Sequence, residues 1–327
     1  MTRITDLKDV LFDVDMRPLF VKSGDRELPV RDSLAIVDVK ADRVVSVVGR
    51  SYRLVSHKEA LNLAFDCAAA AFPDMKADQW QVVLVDAPST GGTCFIDLAH
   101  NSALLDFTGV AAANKPEVYG PFVRVTNSYN RTRALSFDIG YYRKVCKNGL
   151  ILRDSLIRFK MSHQRREIGE AIKFEISKDT LKKQQQEFMA FLAKLQSCDV
   201  PEKWITPFAC DVLGFRPPTM PDDMKEPRWA AWRALLATVS TTRDRYVKDL
   251  GENANCVLNV VTDIASRPPE NSEVRRDSNS LQRRAGKWAS DFPQVCDDKN
   301  FDLQSYLDSL RLAVASPDKI GRGAVAA

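Results

Sequence analysis

Between Arg124 and Arg166 the chain interleaves cations with aromatic and amide side chains: Arg124, Asn127, Tyr129, Asn130, Arg131, Arg133, Phe137, Tyr141, Tyr142, Arg143, Lys144, Lys147, Asn148, Arg153, Arg158 and Lys160. This stretch of 43 residues holds 11 Lys/Arg and two acids, a charge of +9, although the whole chain carries only +4. Residues 1–123 carry −4 and residues 167–327 carry −1. Such a pattern suits a polyanion. Each phosphate neutralised by Lys or Arg releases condensed counterions, so affinity grows with the number of cations presented. Aromatic rings among those cations offer faces on which unpaired bases stack. In this reading Arg131, Arg133, Arg143, Lys144 and Lys147, at or near turns, neutralise phosphates. Tyr129, Tyr141 and Tyr142 stack on or flank bases. Asn127 and Asn148 bond sugar–phosphate groups or hold the turns, and Arg124, Arg153, Arg158 and Lys160 extend the basic face. The competing reading places the same cations on a solvated sheet face, paired with acids of the negative N-terminal half.

Other chemistry finds less support. Walker A, GxGxxG, HExxH, GxSxG and EF-hand patterns are all missing from the sequence. No cofactor, metal or enzymatic activity is therefore expected. Of three histidines, His57 falls in the first turn of a helix and reads as a solvated residue. His100, three residues after Asp97, reads as a strand-end residue facing solvent rather than a metal ligand. His163 lies inside the basic run, where a phosphate contact and a strand end are equally open. Seven widely spaced cysteines without a CxxC pair point to small buried hydrophobes in a reducing compartment. Cys146, flanked by Arg143, Lys144 and Lys147, has the one electropositive setting, but no partner histidine accompanies it. The pairs Asp222-Asp223 and Asp297-Asp298 read as solvated loop or helix-start acids.

The elements that must position these residues are strands. Ser33–Val39 and Arg43–Val48 are rich in β-branched residues around an Ala41-Asp42 turn. Ser56 and Glu59 form a capping box for a helix that runs to about Phe72, where Pro73 stops it. Gln79–Val85 and Thr93–Leu98 read as a strand pair, and residues 99–121 as loop. Phe122–Thr126, Ala134–Tyr142 and Leu156–Met161 alternate, with 127–133 as a turn, so their Arg and Lys are expected on outward faces. Helical spacing takes over in 165–196, 201–215, 228–250, 253–265, 278–290 and 303–314. The fold class is α+β: an N-terminal, strand-rich antiparallel sheet with a helix packed on it, then a helical C-terminal half. The expected division is residues 1–164, 165–315 and a tail over 316–327.

Composition sets the outer limits. With 45% hydrophobic and 28% charged residues and a mean hydropathy of −0.26, the chain has material for a core and is neither disordered nor a disulfide scaffold. It has no apolar run of membrane-spanning length and no apolar signal core near its start, which points to the cytoplasm.

Several of these segments also resemble a known family. Tyr52–Val55 and the helix after it, Gly91-Gly92, Val125–Asn130 and Arg143–Leu150 (with VCKNG the most specific part) are similar to the phage/plasmid-like protein family, a domain-of-unknown-function family. Asn259–Asp263 and Ala285–Trp288 resemble its C-terminal segments, and the likeness spans about residues 45–295. Family members typically carry an SHDG-type turn where this chain has Ser128-Tyr129-Asn130-Arg131; without its histidine and acid, a metal or acid–base role for the turn loses support. The resemblance implies a bacteriophage, plasmid or integrated-island context in a bacterial cytoplasm, and no activity. Site chemistry and context together lead to an expected single-stranded DNA-binding accessory protein, with ATP-independent strand annealing in recombination as its extension. The alternative is a protein-interaction module, such as an inhibitor of a host defence enzyme. Nucleic acid, single-stranded DNA above all, is the expected partner and a membrane is not. A homo-oligomer and a host protein partner both stay open.

Overall fold

Alternation in the first half becomes strands, and the change to helical spacing becomes helices. The computed structural model describes residues 3–102, 105–106, 118–143, 148–150, 157–163, 177–216, 226–266, 278–297 and 301–309. In chain order the elements are β1 (Arg3–Ile4), α1 (Leu7–Val10), β2 (Val14–Ser23), β3 (Arg26–Asp38), β4 (Arg43–Gly49), α2 (His57–Ala71), β5 (Trp80–Pro88), β6 (Thr93–His100), β7 (Leu105–Asp106), β8 (Val118–Ser128), β9 (Leu135–Arg143), β10 (Asn148–Leu150) and β11 (Ile157–Met161). The helices α3 (Lys178–Gln196), α4 (Glu202–Leu213), α5 (Glu226–Leu250), α6 (Ala254–Ser266), α7 (Ser278–Cys296) and α8 (Leu303–Ser309) follow. The fold is α+β, with antiparallel strands in the N-terminal half and helices in the C-terminal half. The tail from 316 lies outside the described residues.

The chain divides into two compact units. The first holds Met1–Leu104, Gly120–Tyr142 and Leu156–Lys182; the second holds Leu105–Tyr119, Arg143–Ser155 and Lys183–Ala327. In the first unit the main sheet runs β1-β5-β6-β8-β9, with β11 antiparallel to β9. One face packs on α2. Ile96, Leu98, Val123, Val125, Leu135, Phe137 and Ile139 form the core with Ala60, Ala64, Cys67, Ala68 and Ala71 of the helix. The small residues let the helix axis approach the sheet closely, and Ile157, Phe159 and Met161 complete the layer. Ser56 caps α2 by accepting from the Glu59 N–H at 3.0 Å, as its capping box predicts.

The second sheet, β2-β3-β4, is a meander. Asp42, at φ 45°, makes the tight turn into β4. Its inner residues Ile36 and Val48 cluster with Tyr52 and Tyr129. The outer half of its hairpin is exposed, Phe20, Val21 and Leu28 included. Strand β2 was not legible in the sequence, because Pro18 and its charged residues blur the alternation.

In the second unit α6 is the hub. Every residue from Ala254 to Ala265 is buried, and α4, α5 and α7 pack around it. Phe208, Trp288, Phe292 and Tyr306 form an aromatic cluster between α4, α7 and α8. Gly214 closes α4 in the left-handed conformation. No described helix is long and apolar enough to cross a membrane.

Candidate nucleic-acid interface

The sheet face turned away from α2 carries charge, but little of it reaches solvent. Arg3 pairs with Asp86, Arg124 with Asp97 and Arg158 with Asp138, in three cross-strand pairs spread over six strands. Register puts Asp97 directly opposite Arg124 and Asp138 opposite Arg158. Arg124 is 0% exposed and grips both carboxylate oxygens of Asp97. Burial pushes the Asp97 carboxyl up, and the guanidinium pulls it back. The expectation that Arg124 faces outward toward phosphate is therefore corrected. Strands β8 and β9 are covered on both faces, and a buried guanidinium needs a carboxylate. Arg158 is part-exposed, but its guanidinium is committed to Asp138.

The aromatic and amide residues of the basic run are also interior. Tyr129 is buried, stacked on His57 at 4.0 Å, and its hydroxyl accepts from the His57 N–H. The His57 Nε2–H donates to the Gly91 carbonyl at 2.9 Å, so Nδ1 accepts from the Asn127 side-chain amide at 3.0 Å. That same amide also donates to the Val55 carbonyl. Burial holds the His57 imidazole at about 4, well below its ordinary value. Tyr142 donates to the His100 carbonyl at 2.8 Å, and Tyr141 is buried too. Base stacking by Tyr129, Tyr141 and Tyr142 and a sugar–phosphate role for Asn127 are thus replaced by interior roles. The solvated readings of His57 and His100 change with them. The His100 Nε2–H donates to the Lys76 carbonyl while Nδ1 accepts from the Ser102 N–H. In the second unit Arg143 is buried with its guanidinium 5.9 Å from the Tyr246 ring. Lys144, Cys146, Lys147 and Arg153 lie outside the described residues, and of Asn148 only the strand backbone is described.

Three of the expected cations do come together. Arg131, Arg133 and Lys160 line a cleft of about 480 Å³ with Tyr52, Ala134, Ser162 and His163, and no carboxylate is among its described lining residues. It sits where the β8–β9 turn, the end of β11 and the segment after β4 meet. The turn is built locally. The Asn130 carboxamide oxygen accepts from the Thr132 N–H and hydroxyl, an Asx-turn. The Ser128 hydroxyl donates to the Arg133 carbonyl and accepts from its N–H. Arg131 takes the left-handed conformation, φ 60°, which lifts its side chain out of the sheet's alternation. Arg131 and Lys160 are exposed and have no carboxylate partner among the described residues.

The cleft wall is an aromatic pair. Tyr52 and His163 stack at 4.9 Å with their planes 16° apart. Tyr52 donates to the Ser128 carbonyl at 2.6 Å, and the His163 Nδ1–H donates to the Arg53 carbonyl at 3.2 Å. Burial lowers the His163 pKa and raises that of Tyr52, the latter against the nearby Arg131 guanidinium. The site can bind an anion. The described residues hold no group of three metal-ligating side chains. Sequence reasoning missed Ser162, a neutral residue inside the basic run, and Tyr52, which comes from a segment far from it. Comparison of the chain with protein-family models, curated proteins and solved structures finds no match.

Proposed function

We propose that this protein binds single-stranded nucleic acid, DNA in the first place, through its phosphates at the Arg131–Arg133–Lys160 cleft. The observation that carries the reading is the convergence of Arg131, Arg133 and Lys160, from two chain segments, on one open cleft with no carboxylate among its described lining residues. The buried tyrosines bear on the mode of binding. With Tyr129, Tyr141 and Tyr142 interior, the grip is on the backbone and the bases stay free to pair. That arrangement suits ATP-independent strand annealing, and it agrees with the resemblance to proteins of phages and plasmids. No enzymatic step is part of the reading.

Fluorescence anisotropy of a labelled oligonucleotide, titrated at several salt concentrations, tests it. Three neutralised phosphates on a single strand give a slope of log K against log salt of about −2. Affinity then falls roughly 15- to 20-fold between 50 and 200 mM salt. Absence of binding at 50 mM salt refutes the proposal. Capture of one stoichiometric protein partner, unaffected by nuclease, would favour the interaction-module reading instead.

A further inference from the structure

Cys198 and Cys296 are remote in sequence, yet within the second unit their thiols are hydrogen-bonded to each other. Cys198 follows α3, and Cys296 ends α7. The backbone around Cys198 is held against the start of α6. The Cys198 carbonyl accepts from the Ala254 N–H at 2.9 Å, and the Val200 N–H donates to the Glu252 carbonyl at 3.1 Å. The Lys194–Asp297 ion pair joins the same two helix ends. The Cys198 thiol donates to the Lys194 carbonyl at 3.2 Å, so its proton is engaged. The bond between the thiols therefore runs from the Cys296 S–H to the Cys198 sulfur. Cys296 is part-exposed, whereas Cys198, Cys67, Cys94, Cys210 and Cys256 are buried. A reagent in solvent reaches Cys296 first and finds a second sulfur beside it. Wide spacing hides this pair in the sequence, where the cysteines read as small hydrophobes.

We propose that Cys198 and Cys296 form a reversible disulfide that ties the end of α3 to the end of α7, with a low-molecular-weight disulfide such as glutathione disulfide as the oxidant. In the first step the Cys296 thiolate attacks one sulfur of glutathione disulfide; the reagent's S–S bond breaks and one glutathione thiolate leaves. In the second step the Cys198 thiolate attacks the Cys296 sulfur of the mixed disulfide and expels the second glutathione thiolate. The two protein thiols are oxidised, one glutathione disulfide is reduced to two glutathiones, and the two thiol protons pass to them. The surroundings set the rate. Burial first, then the Cys198 thiol and the Asp297 carboxylate, push the Cys296 thiol up to about 12 against the Lys194 ammonium. Burial raises Cys198 too, with Asp297 and Asp199 adding to the effect and Lys194 opposing it. Tyr306 also faces Cys296. Thiolate is scarce near neutral pH, so the bond forms slowly there and answers sustained rather than brief oxidation. It closes a loop of about 100 residues that includes α4, α5, α6 and α7, a size at which a cross-link restricts the unfolded chain strongly.

The test incubates the whole folded chain with glutathione disulfide at about pH 8.5, blocks the remaining thiols and maps the peptides by mass spectrometry. One cross-linked peptide pair joining Cys198 to Cys296 is expected, with two glutathiones released per chain. The oxidised protein should melt roughly 5–10 °C higher, and dithiothreitol should reverse both changes. Between pH 7 and 9 the rate should rise about ten-fold per unit, as the thiolate fraction does. Cys198→Ala should stop at the mixed disulfide, keeping one glutathione on Cys296 and gaining no Tm. Cys296→Ser should take up none at Cys198. A thermal melt confirms that each variant is folded, and the peptide map of the unaltered protein decides the matter without them. A glutathione that stays on Cys296 of the unaltered protein, a cross-link from Cys296 to a different cysteine, no reaction at pH 9, or an oxidised form with the Tm of the reduced one overturns the proposal.

Discussion

Replacing Arg124 separates the interior from the binding surface. Arg124 is fully buried and bidentate on Asp97, and Asp97 also feels the carboxylates of Asp86 and Asp138. In Arg124→Met the Asp97 charge is stranded in the sheet. Breaking a buried pair by removing one partner costs about 3–5 kcal/mol. For a unit of this size 1 kcal/mol moves Tm by roughly 2–4 °C, so a loss of about 6–12 °C at the lower bound is expected. Replacing both partners, in Arg124→Met with Asp97→Leu, removes the charges together and should restore most of the loss, because apolar residues of similar volume substitute for a buried pair at little cost. Urea unfolding of the wild type, both single variants and the double variant closes the cycle. A coupling energy near zero, or a double variant as unstable as the sum of the singles, would refute the buried-pair reasoning. Oligonucleotide binding by the folded Arg124→Met fraction should match the wild type. A selective loss of binding with unchanged stability would return Arg124 to the phosphate contacts.

Three further outcomes follow from the geometry. His57 titrates at about 4 in the folded state against 6.5 unfolded, so the unfolded chain takes up a proton first as the pH falls. Stability is full above pH 6.5 and drops by about 3 kcal/mol toward pH 4, a slope that urea unfolding should find weakened in His57→Gln. Ser56→Ala removes the α2 cap and should cost about 1 kcal/mol by the same assay. At Gly120 an added Cβ would lie 2.8 Å from the Tyr142 ring and 3.0 Å from the Ser102 carbonyl, so Gly120→Ala should cost about 1–3 kcal/mol and disturb the Tyr142–His100 contact.

The elements were largely legible because alternation and capping are local. The α2 capping box and the strands around Ile96, Val123, Phe137 and Phe159 stand close to where the sequence put them, and the apolar face against α2 was readable from the pattern at Val123 and Val125. What covers the opposite face is a matter of tertiary structure. Period two shows that Arg124 and Val125 point apart, but not that the side bearing Arg124 is closed as well. The cross-strand register that sets Asp97 against Arg124 joins residues 27 apart, and a single sequence does not encode that pairing visibly. Arg131 and Arg133 were readable for the opposite reason. They lie in a turn rich in Asn, Ser and Thr, where a side chain has no second layer to meet. Tyr52 comes to the cleft from a distant segment, and only the stacking on His163 reveals it.

The salt dependence of oligonucleotide binding in Arg131→Ala with Lys160→Ala, set beside the wild type, tests the cleft most directly. Removing two of three cations should flatten the slope of log K against log salt from about −2 to about −0.7. The wild-type slope retained in the double variant would show that phosphates are neutralised elsewhere and would contradict the assignment of the cleft.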